Sequence, residues 1–186
     1  MTTTTPPGTR TALLPRRARS VLLAVHVTMS VGWIGLDLSL LVLAVAALRT
    51  GDAPAAAAMG LLGRALLAPF AFGSLVTGLA LSLTTPWGLL RYWWVLAKFV
   101  ITSALVAAGL IVLLPRLQLI AAGAQGPIRI QAVVATSVAL ALLVTATVLS
   151  VVKPWGRTAR GRRAAAAARP GTGAVHRLAG SSPTAR

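Results

Sequence analysis

The chain has 186 residues, 56% hydrophobic and 11% charged, with 18 Lys and Arg against two acids and no glutamate. A typical soluble domain is about 45–50% apolar and about 25% charged, so this composition excludes an ordinary soluble acid/base enzyme, which draws on several carboxylates and histidines. Cysteine is absent, which excludes disulfides, thiolate catalysis, zinc-thiolate sites and cysteine-held iron–sulfur clusters.

Residues 1–19 read as a disordered basic arm ending in Arg16, Arg17 and Arg19. Four apolar stretches follow, at 20–48, 65–90, 92–115 and 130–152. Each is long enough for the roughly 20 residues that a bilayer core requires of a helix. The expected fold class is therefore all-α, a polytopic membrane protein whose residues 20–152 form a four-helix transmembrane bundle. The connections fall at 49–64, 86–91 and 116–129. Pro86, Pro115 and Pro154 stand at expected helix ends, where a missing N–H costs little. Residues 153–186, rich in Arg, Ala and Gly, read as a disordered basic tail. The first stretch far exceeds the 7–15-residue core of a cleaved signal peptide, so it is expected to stay as a span.

The charges set an expected orientation. The N-terminal arm, the second connection and the C-terminal tail together hold 13 Lys and Arg, whereas the first and third connections hold four. By the positive-inside rule both termini lie in the cytoplasm and the chain is a multi-pass protein of the cell membrane. Trp87, Tyr92, Trp93, Trp94 and Trp155 all fall at the same expected ends, as an interfacial aromatic belt does. The basic tails face anionic lipid headgroups as their expected partner. They lack the interleaved aromatics of a nucleic-acid module, and no nucleic-acid partner is expected.

The second and fourth stretches end alike. Thr77–Gly88 and Thr145–Gly156, offset by 68, share Thr, Leu, Ser, Pro, Trp and Gly at six of twelve positions. We read two repeated helical hairpins related by an axis along the membrane normal; the competing reading is that both helices simply stop at an interfacial Pro-Trp.

Ionisable side chains inside a membrane are costly and mark candidate sites. Three fall within spans: His26, Asp37 and Lys98. His26 lies seven residues past Arg19 and Lys98 seven past Arg91, which puts both about 10 Å in at 1.5 Å per residue. Thr77 and Thr145 are expected at that same depth on the returning helices. His26, Ser30, Trp33 and Asp37 repeat at i, i+4, i+7 and i+11, on one helix face, and Lys98 and Thr102 form the matching i, i+4 pair. The expected polar intramembrane site is thus His26, Lys98, Asp37, Ser30, Thr77, Thr102 and Thr145, with His26 the candidate cofactor ligand. His26 is expected to face Lys98; Asp37, about 16 Å further along, is the alternative neighbour if the first helix slides by two turns. His26 and Met29 offer a soft metal pair. A haem would have His26 as single axial ligand or as a pair across a homodimer, since His176 lies in the tail.

The pattern His26-x-x-x-Ser30-x-x-Trp33-Ile-Gly35, with Gly-Leu-Leu-Arg-Tyr-Trp-Trp-Val-Leu-Ala-Lys98 entering the third stretch, resembles an uncharacterised family of bacterial predicted integral membrane proteins over about residues 20–152. More remotely it is similar to copper-resistance-D-like proteins, in its helix-one His followed by Trp-Gly. It is also similar to the membrane-embedded protoporphyrinogen oxidase that binds haem, in that His and a Lys on a later helix. These resemblances imply that His26 and Lys98 are a functional pair. The sequence departs from both remote families in having no second intramembrane His and no Met- or His-rich segment.

Two functions follow. In one, the polar site binds a cofactor or small ligand, haem or a metal among them. In the other, the chain is a non-enzymatic membrane component or homo-oligomer subunit whose polar residues are helix–helix glue. A reporter fused to the C-terminal tail is expected to report the cytoplasmic side, and one inserted after Gly51 the opposite side; the reverse pattern overturns the charge-based orientation.

Overall fold

The apolar stretches fold into four long helices in a computed structural model that describes residues 15–84, 92–152, 156, 158, 159, 162 and 163. They are α1 (Arg16–Thr50), α2 (Ala53–Thr84), α3 (Trp93–Ala121) and α4 (Pro127–Val152), each long and apolar enough to cross a bilayer. Large apolar side chains line the outside, among them Val31, Val76, Ile111 and Val151, each at least 60% exposed. An outer surface of that kind is suited to hydrocarbon and not to water. The chain is a multi-pass, all-α membrane protein built as a four-helix bundle.

The helices run up and down in a ring. Residues 26, 30 and 74, 77 meet across α1 and α2, residues 60, 64 and 118 across α2 and α3, 98 and 150 across α3 and α4, and 47 and 129 across α1 and α4. Each pairing is antiparallel. α1 packs on α2 and α4, and α3 closes the ring from the diagonal position.

Several boundaries differ from the sequence reading. α1 begins at Arg16, so Arg16, Arg17 and Arg19 belong to the helix and not to a disordered arm. Pro15 stands just before its first turn, the position where a missing N–H is harmless. The first connection shrinks from 49–64 to Gly51 and Asp52, with Gly51 closing α1 at φ 68°. Alanine has the highest helix propensity, and the alanine-rich 53–58 run with Pro54 in its first turn extends α2 back to Ala53. Arg64, the expected boundary charge, lies within α2 and reaches Gln118 Oε1 at 3.2 Å.

Pro115 does not end α3. A π-helical turn at Gly109–Leu113 precedes it; the wider i→i+5 ring is one way a helix absorbs a missing proline N–H. Arg116 Nη1 donates to the Val112 carbonyl at 2.8 Å, satisfying an acceptor at that turn. α2 carries its own π-helical turn at Gly63–Leu67. The expected helix ends at Pro86 and Pro154, and with them Trp87, Trp155 and the Pro-Trp part of the hairpin repeat's matching motif, lie outside the described residues, as do residues 1–14 and most of the tail.

Packing is uneven along the bundle axis. Near Gly51, Ala44, Ala47 and Ala132 are 1%, 0% and 0% exposed and let α1 and α4 approach closely. Arg129, 6% exposed, donates from Nη1 to the Ala47 carbonyl at 2.6 Å and from Nε to the Ala124 carbonyl at 3.1 Å. It thereby caps the negative end of α1. At the other end Val21, Leu23, Val25 and Val27 of α1 are all exposed, and the bundle opens there.

Arg129→Ala is expected to destabilise the protein by about 1.5–3 kcal/mol, the usual value of a hydrogen bond to a charged group. Arg116→Ala, at a half-buried position whose hydrogen bonds are exposed to the surroundings, should cost less, about 0.5–1.5 kcal/mol. Denaturant titration in detergent measures both.

Candidate functional site

At the open end the first halves of α1 and α3 and the second half of α2 enclose a cavity of about 240 Å³, lined by Arg19, His26, Ser74, Gly78, Ser82, Trp94, Lys98 and Thr102 among apolar neighbours. His26 and Lys98 project into it from diagonally opposed helices, as their shared depth predicts. Asp37 is not among the lining residues.

α1 presents His26 and Ser30 to α2, one helical turn apart on one face. The Thr77 hydroxyl donates its single proton to its own helix, at the Gly73 carbonyl. With that proton on the Gly73 carbonyl, the 2.9 Å contact between Thr77 Oγ1 and His26 Nδ1 takes the imidazole N–H as donor. In the Nδ1–H tautomer that this arrangement favours, the Nε2 lone pair has no hydrogen-bond partner among the described residues. Gly78 lies beneath the ring; a Cβ there would sit 2.9 Å from Cε1, so the close seating of His26 requires glycine. One turn away Ser30 and Ser74 share a 2.8 Å hydroxyl–hydroxyl bond.

Lys98 makes a 2.7 Å hydrogen bond to Ser150 Oγ on α4, whose hydroxyl in turn donates to the Ala146 carbonyl. The expected partner at this level, Thr145, is elsewhere: it is exposed and donates to its own Ala141 carbonyl at 2.8 Å. Two physical reasons explain the exchange. Leu143, Ala146 and Ser150 recur at i, i+3 and i+7 and form the inner face, from which Thr145 is turned away. Helical side chains also lean toward their own N-terminus, so the long Lys98 stem reaches toward the start of α3 and meets α4 five residues past Thr145. Thr102 is buried and donates to the Lys98 carbonyl at 2.8 Å.

Asp37 is 1% exposed, and its Oδ2 has no hydrogen-bond partner among the described residues. It belongs to the tightly packed half of α1, between buried Trp33 and Leu40, and so is separate from the cavity that holds His26 and Lys98. Trp33, at 3% exposure, is core packing. Of the aromatic belt, Trp93 is exposed, whereas Trp94 turns inward to line the cavity, with its ring 6.3 Å from that of Tyr92.

Ser74, Ser82, Gly78 and Ser150 were not singled out by sequence reasoning. A signal for two of them existed: Ser82 and Ser150 are a matched pair in the repeat, and one lines the cavity while the other holds Lys98. Nothing in the sequence marked Ser74 or Gly78 above other small residues.

The donor set does not fit a resident metal ion. Among the described residues no three His, Cys, Asp or Glu side chains come together, and His26 shares its cavity with two basic residues. Met29 packs toward Gly73 on α2 and is not a lining residue of the cavity. Comparison with protein-family models, with curated proteins and with solved structures finds no significant match for this chain.

An unpartnered buried polar group costs about 1–3 kcal/mol. Asp37→Leu is accordingly expected to raise stability by about that amount, whereas Thr77→Val, which removes the acceptor of His26, should lower it by about 0.6 kcal/mol. Denaturant midpoints in detergent give both signs, and a destabilised Asp37→Leu protein means that the carboxylate is satisfied in the membrane.

Proposed function

We propose that this chain is a small-ligand-binding protein of the cell membrane, with both termini cytoplasmic, and that its ligand sits in the cavity between α1, α2 and α3. The observation that carries the reading is the pairing within one cavity of His26, whose Nε2 has no hydrogen-bond partner among the described residues, and Lys98, which has made one hydrogen bond and has further N–H donors to give. Groups whose only task is helix association satisfy each other, as Ser30 and Ser74 do. His26 and Lys98 instead hold donor and acceptor capacity toward a shared space.

The arrangement supports binding more directly than catalysis. An acceptor nitrogen and a donor ammonium fix the orientation of a polar head, and the apolar walls exclude water. The second reading, that the polar residues are helix glue, rests on the Ser30–Ser74 bond and on the Thr77, Thr102 and Ser150 hydroxyls bonded within their own helices.

The two readings separate on the purified protein. Solvent extracts analysed by mass spectrometry, together with an absorption spectrum and metal analysis, are expected to show a molecule that copurifies with the wild-type chain and is lost from His26→Ala and Lys98→Leu. Extracts that are empty for wild type and variants alike would leave only the glue reading.

A further inference from the structure

We infer that the ligand is an anionic amphiphile, an oxyacid head on a single apolar tail, and that its head is the missing counter-ion of Lys98. This inference rests on the ligand-binding reading above and adds charge and shape to it. The cavity holds Arg19, His26 and Lys98 and no carboxylate. Asp37 and Asp52, the two acids of the chain, are both described and neither lines it. An isolated ammonium in a low-dielectric setting is costly, and an anionic partner offsets that cost. Ser150 supplies one neutral acceptor at 2.7 Å, which satisfies one of three N–H donors and none of the charge. An anionic oxygen supplies the rest, Arg19 extends the positive lining toward the start of α1, and the His26 Nε2 lone pair is filled where the acid head keeps one proton, as a phosphate monoester does.

The tail follows from volume and opening. At about 30 Å³ per water, 240 Å³ holds on the order of eight waters, which is room for a head and the first carbons of a chain but not for a long chain. The rim residue Leu23 is 51% exposed, and Val27 one turn on is 50% exposed. Both belong to the half of α1 that leaves the bundle open, and Leu23 also lines the cavity, so the tail leaves past Leu23 into hydrocarbon. Leu75, Val95 and Phe99 line the inner wall and bury the carbons next to the head.

The test uses the full chain in phosphatidylcholine nanodiscs, with empty nanodiscs as background. Labelled oleate is the probe; oleyl phosphate, oleyl alcohol, acetate and inorganic phosphate are competitors. Oleate is expected to be retained at about one per chain above background and to be displaced by oleyl phosphate, with acetate, inorganic phosphate and oleyl alcohol at least tenfold weaker. Lys98→Gln should weaken retention at least tenfold, and Lys98→Arg should restore most of it. Helical circular dichroism checks that both variants fold, and the comparison of oleate with oleyl alcohol on the wild-type protein needs no variant. Equal retention of the alcohol and the carboxylate overturns the anionic head. Competition by acetate or inorganic phosphate at the strength of oleate overturns the tail and identifies a soluble anion. Both outcomes leave a ligand-binding cavity in place. Retention of none of the probes, together with empty extracts from the purified protein, overturns the binding reading itself.

Discussion

A polar side chain in hydrocarbon finds no partner in the solvent, so each one must find it on the protein. That constraint organises this bundle. Thr77, Thr102, Thr136, Thr145 and Ser150 give their protons to carbonyls of their own helices, and the oxygens of Thr77 and Ser150 also meet His26 and Lys98. His26 is seated on α2 through Thr77, and Lys98 is tied to α4 through Ser150. The hydroxyl that serves the backbone thus also fixes the tautomer of the histidine and the direction of the lysine. The candidate site is a by-product of backbone satisfaction with two groups left over.

The second organising feature is the difference between the two ends of the bundle. Where alanines dominate the facing positions, helices approach until backbones touch, and dispersion holds them without any hydrophobic gain from lipid. Arg129 joins that end by bonding the Ala47 carbonyl near the end of α1. At the opposite end α1 has a single packed face, through Leu22, His26, Met29 and Ser30, and Arg19 and Leu23 line the cavity while staying exposed. A cavity therefore forms at one end and not the other, and the groups that line it are those near the start of α1 and α3.

Hydropathy and length made the four spans legible, because crossing a membrane is a property of composition over some twenty residues. Boundaries were less legible. Charges mark the expected helix ends, yet Arg64 and Arg116 lie inside helices and spend their guanidinium groups on Gln118, Gln131 and the Val112 carbonyl. Pro115 similarly reads as a stop in sequence, while in the fold a π-helical turn carries the chain past it. Long basic side chains and π-helical turns decouple the position of a residue from the position of a helix end.

Counting residues from the flanking arginines was enough to put His26, Lys98 and Thr77 at one depth, because rise per residue is nearly constant in a helix. The i, i+4, i+7 spacing likewise determined that His26, Ser30 and Trp33 share a face. Depth does not give azimuth, which the packing of neighbouring helices decides. Packing turned Thr145 outward and Ser150 inward, and it sealed Asp37 into the alanine-rich half, away from the histidine it follows on the same face. It also assigned Arg129 to the end of α1, where the sequence offered only a loop charge. The sequence by itself determined which stretches are long and apolar enough to span and at what level along its helix each polar group falls, since both depend on local composition and helical rise. Only the tertiary structure decided which of those groups meet, since that depends on the rotation and splay of four helices against one another.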